Sequence, residues 1–435
     1  MKKTLLGIAL LVSSLFTLMA QSDDLGFEGN IDRMAGIYHS YEAAQWPQTP
    51  APRGFKPVYV SHYGRHGSRR QTDDNGAEAY QFFHKASEAG VLTEEGRALY
   101  KDIEILFKQH EGMEGELTIR GGIEHKGVAQ RMYERFKPVF KGKKTVHCQS
   151  STFRRCIVSM AYFTSQLKEC APKLELDFIT GEKYIDTLCH NFYDRHLYLA
   201  QRPAIADSLG HACFNPSRIM KAFFTNSPKV KEIIPNPWDL GQSLFKIIAS
   251  CQNLKYETGG LELYKYFTEE ELTGLAKQFN EIMYSSIGNN AQWGDNVIWA
   301  EKWLLEDIIA KADKALSGGN VAADLRFGHD SAVWPLASLI GLDGVSGRYK
   351  IGEAWKNGLY VWEAVPMCTN LQLAFYRNRK GEVLVKILYN EKEHIITECF
   401  IPGATIPQPL HGPYYKWDEL RSYFVYISKD KTFGN

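Results

Sequence analysis

The sequence predicts an α/β fold: a doubly wound sheet domain interrupted by a mainly helical insertion. Three observations carry that expectation. β-forming runs give way to turns or helical patterns at 60–68, 148–155 and 327–331. Residues 181–317 carry long amphipathic patterns rich in Trp and Tyr instead. Gly318, Gly319 and Asn320 then mark a return to the sheet. With 435 residues the chain exceeds what one core usually supports. The expected division is 21–180 with 318–435 as the α/β catalytic domain, and 181–317 as the helical insertion.

The first residues read as an export signal. Lys2 and Lys3 open it, Leu5 to Leu18 is mostly apolar, and Ala20 precedes a cut at Gln21. Residues 1–20 are expected to be removed, leaving an exported protein, periplasmic or secreted. No later run is long and apolar enough to span a bilayer.

In the first strand Val58, Tyr59 and Val60 are β-formers, and Gly64 and Gly67 are expected to break it. Thr118 is placed to cap a helix whose buried face holds Ile123, Val128, Met132 and Phe136. A strand over 145–148 leads into a helix over about 154–167, with Ile157, Met160, Ala161 and Phe163 to bury. The insertion contributes long helices over 267–287 and 297–316. A strand over 322–327 ends at Gly328, and a helix follows over 331–340 with Pro335 near its first turn, where proline is tolerated. A further strand is expected over 383–388, and 408–415 reads as irregular.

Charge narrows the function. The formal net charge of +1 becomes −1 without Lys2 and Lys3, because 51 basic residues fall to 49 against 50 acidic ones. A near-neutral exterior argues against nucleic-acid binding, so any positive potential must be gathered in a pocket. Eight cysteines lie between Cys148 and Cys399. Export permits disulfides, but spacing does not give their pairing, and the absence of CxxC pairs speaks against zinc. Cys156 reads as a small core residue. His190 and His196 have no partner motif for a metal, and His62 reads as a neighbour of the site. No metal and no cofactor are expected.

Chemistry concentrates at the three transitions. The first holds Arg65, His66, Gly67, Ser68 and Arg69. Crowded guanidiniums are costly unless an anion is expected, and two of them can grip phosphate oxygens in a bidentate manner. His66 has the chemistry of a nucleophile that forms a phospho-intermediate. The arginines should keep it neutral, and Gly67 should let backbone approach a phosphate closely. The second transition, Ser150 to Cys156, offers Arg154 or Arg155 in the first turn of a helix. The third, Gly328-His329-Asp330, puts an acid where a leaving group needs a proton; capping the following helix is its plainer use.

Together these segments resemble the signature set of the histidine acid phosphatases, as does the stretch Leu117, Thr118, Gly121, His125. The pattern Ser150, Ser151, Arg155, Cys156, Ser159 is most similar to the multiple inositol polyphosphate phosphatase branch. The resemblance implies His66 as nucleophile, Asp330 as proton donor, and Arg65, Arg69, Arg155 and His329 as phosphate ligands. It selects Arg155 over Arg154, and places Thr72 at substrate. It also implies a phosphoglycerate mutase-like α/β domain with a helical domain over the cleft. Three features depart from the pattern. Gln71 stands where the family commonly has proline. His329-Asp330 replaces the His-Ala-Glu of the inositol polyphosphate branch, and is shared by many phytases, glucose-1-phosphatases and general acid phosphatases. Asp73 falls where some members carry lysine.

The expected activity is therefore hydrolysis of small phosphate esters, phytate among them, through a phosphohistidine. A general acid or sugar phosphatase of the same mechanism, a phosphomutase, and a non-catalytic phosphate-ester binding protein are the rivals. The sequence leaves the oligomeric state open.

Overall fold

An eight-stranded mixed sheet runs through the molecule. The structure is a computed structural model that describes residues 29–72, 77–189 and 196–429. The expected export signal, Asp73, His190 and the side chain of His196 lie outside the described residues. The strands are β1 (Lys56–Arg65), β2 (Thr145–Ser150), β3 (Glu175–Thr180) and β4 (Val321–Gly328). They are followed by β5 (Asn370–Arg377), β6 (Val383–Tyr389), β7 (Lys392–His394) and β8 (Tyr414–Lys416). The order is β3-β2-β4-β1-β5-β6-β7, with β8 also on β6. The first four strands are parallel; β5 runs antiparallel to β1, and β6 to β5.

Side chains alternate between two cores, as the period of a strand requires. Tyr59 and Tyr63 of β1 join Leu371, Leu373 and Phe375 of β5 on one face. Val60, Ala374, Leu384 and Leu388 join the other. Helices cover both faces, which is the doubly wound arrangement. The first core takes Trp334 and Leu336 from the helix Asp330–Ile340 and Leu304, Leu305 and Ile308 from the helix Lys302–Leu316. The second takes Val128, Ala129 and Met132 from the helix Ile119–Arg135 and Phe163 and Leu167 from the helix Arg154–Cys170. Between Thr180 and Val321 the described residues contribute helices and turns but no strand of the sheet. The first core is continuous into these helices through Leu244, Phe245, Leu275 and Phe279. Among the described residues no helix is long and apolar enough to cross a membrane.

Several local expectations need correction. Gly64 does not end β1, which runs on to Arg65; a Cβ there would meet the buried His62 ring at 2.7 Å. Ile123 is 48% exposed, since a face built on Val128, Met132 and Phe136 has already turned away one and a half turns earlier. The expected helix over 297–316 breaks at Ala300 and Glu301 into Gly294–Trp299 and Lys302–Leu316. Pro335 lies inside its helix, not in the first turn. Tyr414–Lys416 is a short strand within the stretch read as irregular. The disulfides that export would permit are not formed among the eight cysteines. His62 packs between Phe163 and Phe327 as a core residue.

Candidate active site

The parallel strands β2, β4 and β1 end side by side. Arg65 pairs with Gly328 across β1 and β4, and Ser150 pairs with Phe327 across β2 and β4. The ladder continues one residue further, because His66 N donates to Gly328 O at 2.9 Å and Ser151 N to Phe327 O at 3.0 Å. His66, Ser151 and His329 therefore leave the sheet together at its carboxyl edge, where open α/β sheets bind ligands. Side-chain atoms of His66, His329 and Asp330 lie within 4.8 Å of one another.

The tautomer of His66 follows from one bond. Its Nδ1 lies 3.0 Å from the carbonyl of Gly67. A carbonyl only accepts, so Nδ1 carries the proton and the lone pair sits on Nε2. Burial, then the charges of Arg155, Arg65 and Arg69, push this imidazole well below the ordinary histidine value. The arginines were expected to act so; burial is the larger cause. His329 is pushed down to about 3, by burial first and Arg155 second. Both rings are neutral at mildly acid pH.

Arg65 is fully buried. Its Nη1 donates to the carbonyls of Ile37 and Val365 at 2.8 and 2.7 Å, and Nη2 stands 3.7 Å from Asp330 Oδ2. Burial lowers its pKa to about 10, against the opposing pull of Asp330. Arg69 lies over the Tyr38 ring at 5.5 Å, and Arg155 over the Phe153 ring at 4.7 Å. Among the described residues Arg65 Nε and Nη2, Arg69 Nε and Arg155 Nε are buried without a hydrogen-bond partner. Arg154 points away; it is 79% exposed and pairs with Glu116. The His66, His329 and Asp330 spacing would suit a cation, but three guanidiniums make the potential positive and favour an anion.

Supporting groups hold the loop after β1. Ser68 N and Oγ both donate to Glu124 at 2.7 Å, and Tyr41 N donates to the same carboxylate at 3.0 Å. Thr118 caps its helix as expected, accepting from Gly121 N at 3.3 Å, and its hydroxyl donates to Ser68 O at 3.0 Å. Gly67 also has a packing reason. A Cβ there would come within 2.6 Å of the Gly121 carbonyl, so the glycine lets the 119–135 helix approach the loop. Gly328 is equally constrained, since its Cβ would strike the Tyr63 hydroxyl. That hydroxyl accepts from His329 N at 3.1 Å and donates to Leu188 O at 2.6 Å.

The structure thus gathers Arg65, His66, Arg69, Arg155, His329 and Asp330 in one place. Thr72 lies next to them in the loop, near Gly115, whose Cβ would meet both Thr72 and Arg155. Sequence reasoning missed Glu124 and Tyr63 as supports, because a helical carboxylate and a strand tyrosine have plainer uses. Ser151, whose Oγ lies 3.1 Å from His329 Nε2, stood in the motif without a role.

Comparison with known proteins places this fold. It is an α/β fold with its polar site at the ends of parallel strands. The multiple inositol polyphosphate phosphatase of Bifidobacterium longum in complex with inositol hexasulfate matches with a TM-score of 0.76 at 18% identity, over 92% of this chain and 99% of that one. Its complex with phosphate gives 0.74, at the same identity and coverage. The phytase from D. castellii gives 0.68 at 16% identity, over 92% of this chain and 86% of that one. No protein-family model and no curated protein matches the chain.

Proposed function

We propose that this chain is an exported phosphomonoesterase of the histidine acid phosphatase type, working through a phosphohistidine and needing no metal or cofactor. The observation that carries the reading is a neutral His66, its Nε2 lone pair set by the Gly67 carbonyl, beside Asp330 and three guanidiniums. Nε2 attacks phosphorus, the P–N bond forms as the ester P–O bond breaks, and Asp330 gives its proton to the departing oxygen. The phosphorylated ring carries a positive charge with its Nδ1 proton on the Gly67 carbonyl. Arg65, Arg69, Arg155 and His329 hold the three peripheral oxygens as charge shifts between them. Water then attacks with Asp330 as base, and His66 leaves neutral. Residues 21–180 with 318–435 supply this machinery, and 181–317 covers the cleft.

Inositol polyphosphates such as phytate are the proposed substrates, supported by the fold shared with phosphatases and phytases of that class. His329-Asp330 keeps a general acid or sugar phosphatase as the second reading. A phosphate-release assay at about pH 4 to 6, comparing phytate, glucose 1-phosphate and an aryl phosphate in the presence of a chelator, tests the proposal. Release that survives chelation and disappears in His66→Ala supports it; release that depends on added divalent metal refutes it.

A further inference from the structure

His66 and His329 share one pocket and need opposite hands. Their ring centroids stand 5.7 Å apart at an interplanar angle of 73°. His66 must turn a lone pair to phosphorus. A ligand of the peripheral oxygens must instead offer an N–H, because another lone pair would repel them. His329 is buried and neutral, so its ring carries a single proton. The nitrogen that holds the proton decides whether the ring attracts an oxyanion.

The residue after β2 bears on that choice. Ser151 is fully buried, and its Oγ lies 3.1 Å from His329 Nε2. A buried hydroxyl proton needs an acceptor. Among the described residues, Nε2 is the one nitrogen or oxygen within hydrogen-bond distance of Ser151 Oγ. The neighbouring Cys156 thiol is a weaker acceptor, and its own proton goes to the Gly328 carbonyl at 3.2 Å. The hydroxyl then donates to Nε2, and the ring proton sits on Nδ1.

We propose that Ser151 is a positioning residue that fixes the tautomer of His329, taking up the lone pair on Nε2 and leaving an N–H to donate to a phosphate oxygen. The two imidazoles then carry the same Nδ1 proton for different ends: the Gly67 carbonyl frees the lone pair of His66 for attack, and Ser151 withdraws that of His329. The inference rests on the phosphatase reading above. Its rival is the reverse bond, in which Nε2–H donates to Ser151 and the serine only ties β2 to β4.

The test reads the tautomer and the affinity separately. ¹⁵N spectra of the histidine-labelled chain, with the His329 signals assigned by their loss in His329→Asn, report which ring nitrogen is protonated. Calorimetry with inorganic phosphate compares the wild-type chain, Ser151→Ala and Ser151→Thr. The wild-type His329 should carry its proton on Nδ1. Ser151→Ala should move the proton towards Nε2 and weaken phosphate binding by about three- to tenfold, and Ser151→Thr, which keeps the hydroxyl, should restore both. A wild-type proton on Nε2 overturns the inference without any variant. So does a tautomer or an affinity that Ser151→Ala leaves unchanged. In each of these cases a chain that still releases phosphate from esters keeps the phosphatase reading intact. A wild-type chain that neither binds inorganic phosphate nor releases it overturns both.

Discussion

Arg65 Nη2 stands 3.7 Å from Asp330 Oδ2: within reach of an ion pair, too far for a hydrogen bond. The pairing explains how a fully buried guanidinium tolerates its position, with two carbonyls on Nη1 and one carboxylate at a distance. It also leaves the carboxyl oxygen at the mouth of the site, where a departing alcohol would meet it.

Asp330→Asn keeps the shape of that carboxyl and removes its proton. kcat/KM for an alkyl phosphate is expected to fall by about 10²- to 10⁴-fold, with a much smaller loss for an aryl phosphate whose oxygen leaves unaided. Steady-state kinetics on the two esters checks this. Equal losses would remove Asp330 from the role of acid.

The guanidinium nitrogens buried without partners make an oxyanion the natural stabiliser. Inorganic phosphate at about 100 times its Kd should add about 2.7 kcal/mol to folding stability. Differential scanning fluorimetry reads this as a rise in Tm that chloride at equal ionic strength does not reproduce. The rise should shrink in Arg155→Ala and persist in Arg154→Ala, because Arg154 faces Glu116 and solvent.

Acid should destabilise the fold. Burial is the first cause that lowers His62, His125 and His329 to about 3, His110 to about 4, and His66 well below its ordinary value. Each folded value lies below the ordinary 6.5. Between those limits the unfolded chain binds protons that the folded chain refuses. Stability is therefore complete above about pH 6.5 and lost as pH falls towards 3 to 4. Thermal unfolding across that window should show Tm falling with acidification, and a flat profile would contradict the burial of these rings as neutral species.

Much of this site was legible in the chain because its chemistry is local. Two arginines around His66 after an apolar strand, and His329-Asp330 after another, need no tertiary contact to be noticed. The choice between Arg154 and Arg155 is different in kind. Successive residues in a first helical turn point about 100° apart. Only the neighbouring strands decide which faces the pocket, so the motif resemblance was needed to choose. The packing role of Gly67 is hidden for the same reason: its partner, the Gly121 backbone, is 54 residues away. β5 escaped notice because Asn370 and Gln372 are polar; both are buried, and Gln372 Nε2 donates to Asn370 Oδ1 at 2.8 Å. Glu124 gave no signal, since its three donors, Ser68 N, Ser68 Oγ and Tyr41 N, come from distant loops.

The most direct test is to quench the chain during turnover of a ³²P-labelled ester and map the label. Acid-labile, base-stable phosphate on the peptide containing His66, absent from His66→Ala, is the expected result. Steady turnover with no label on His66, or an undiminished rate in His66→Ala, would contradict a covalent route through this imidazole.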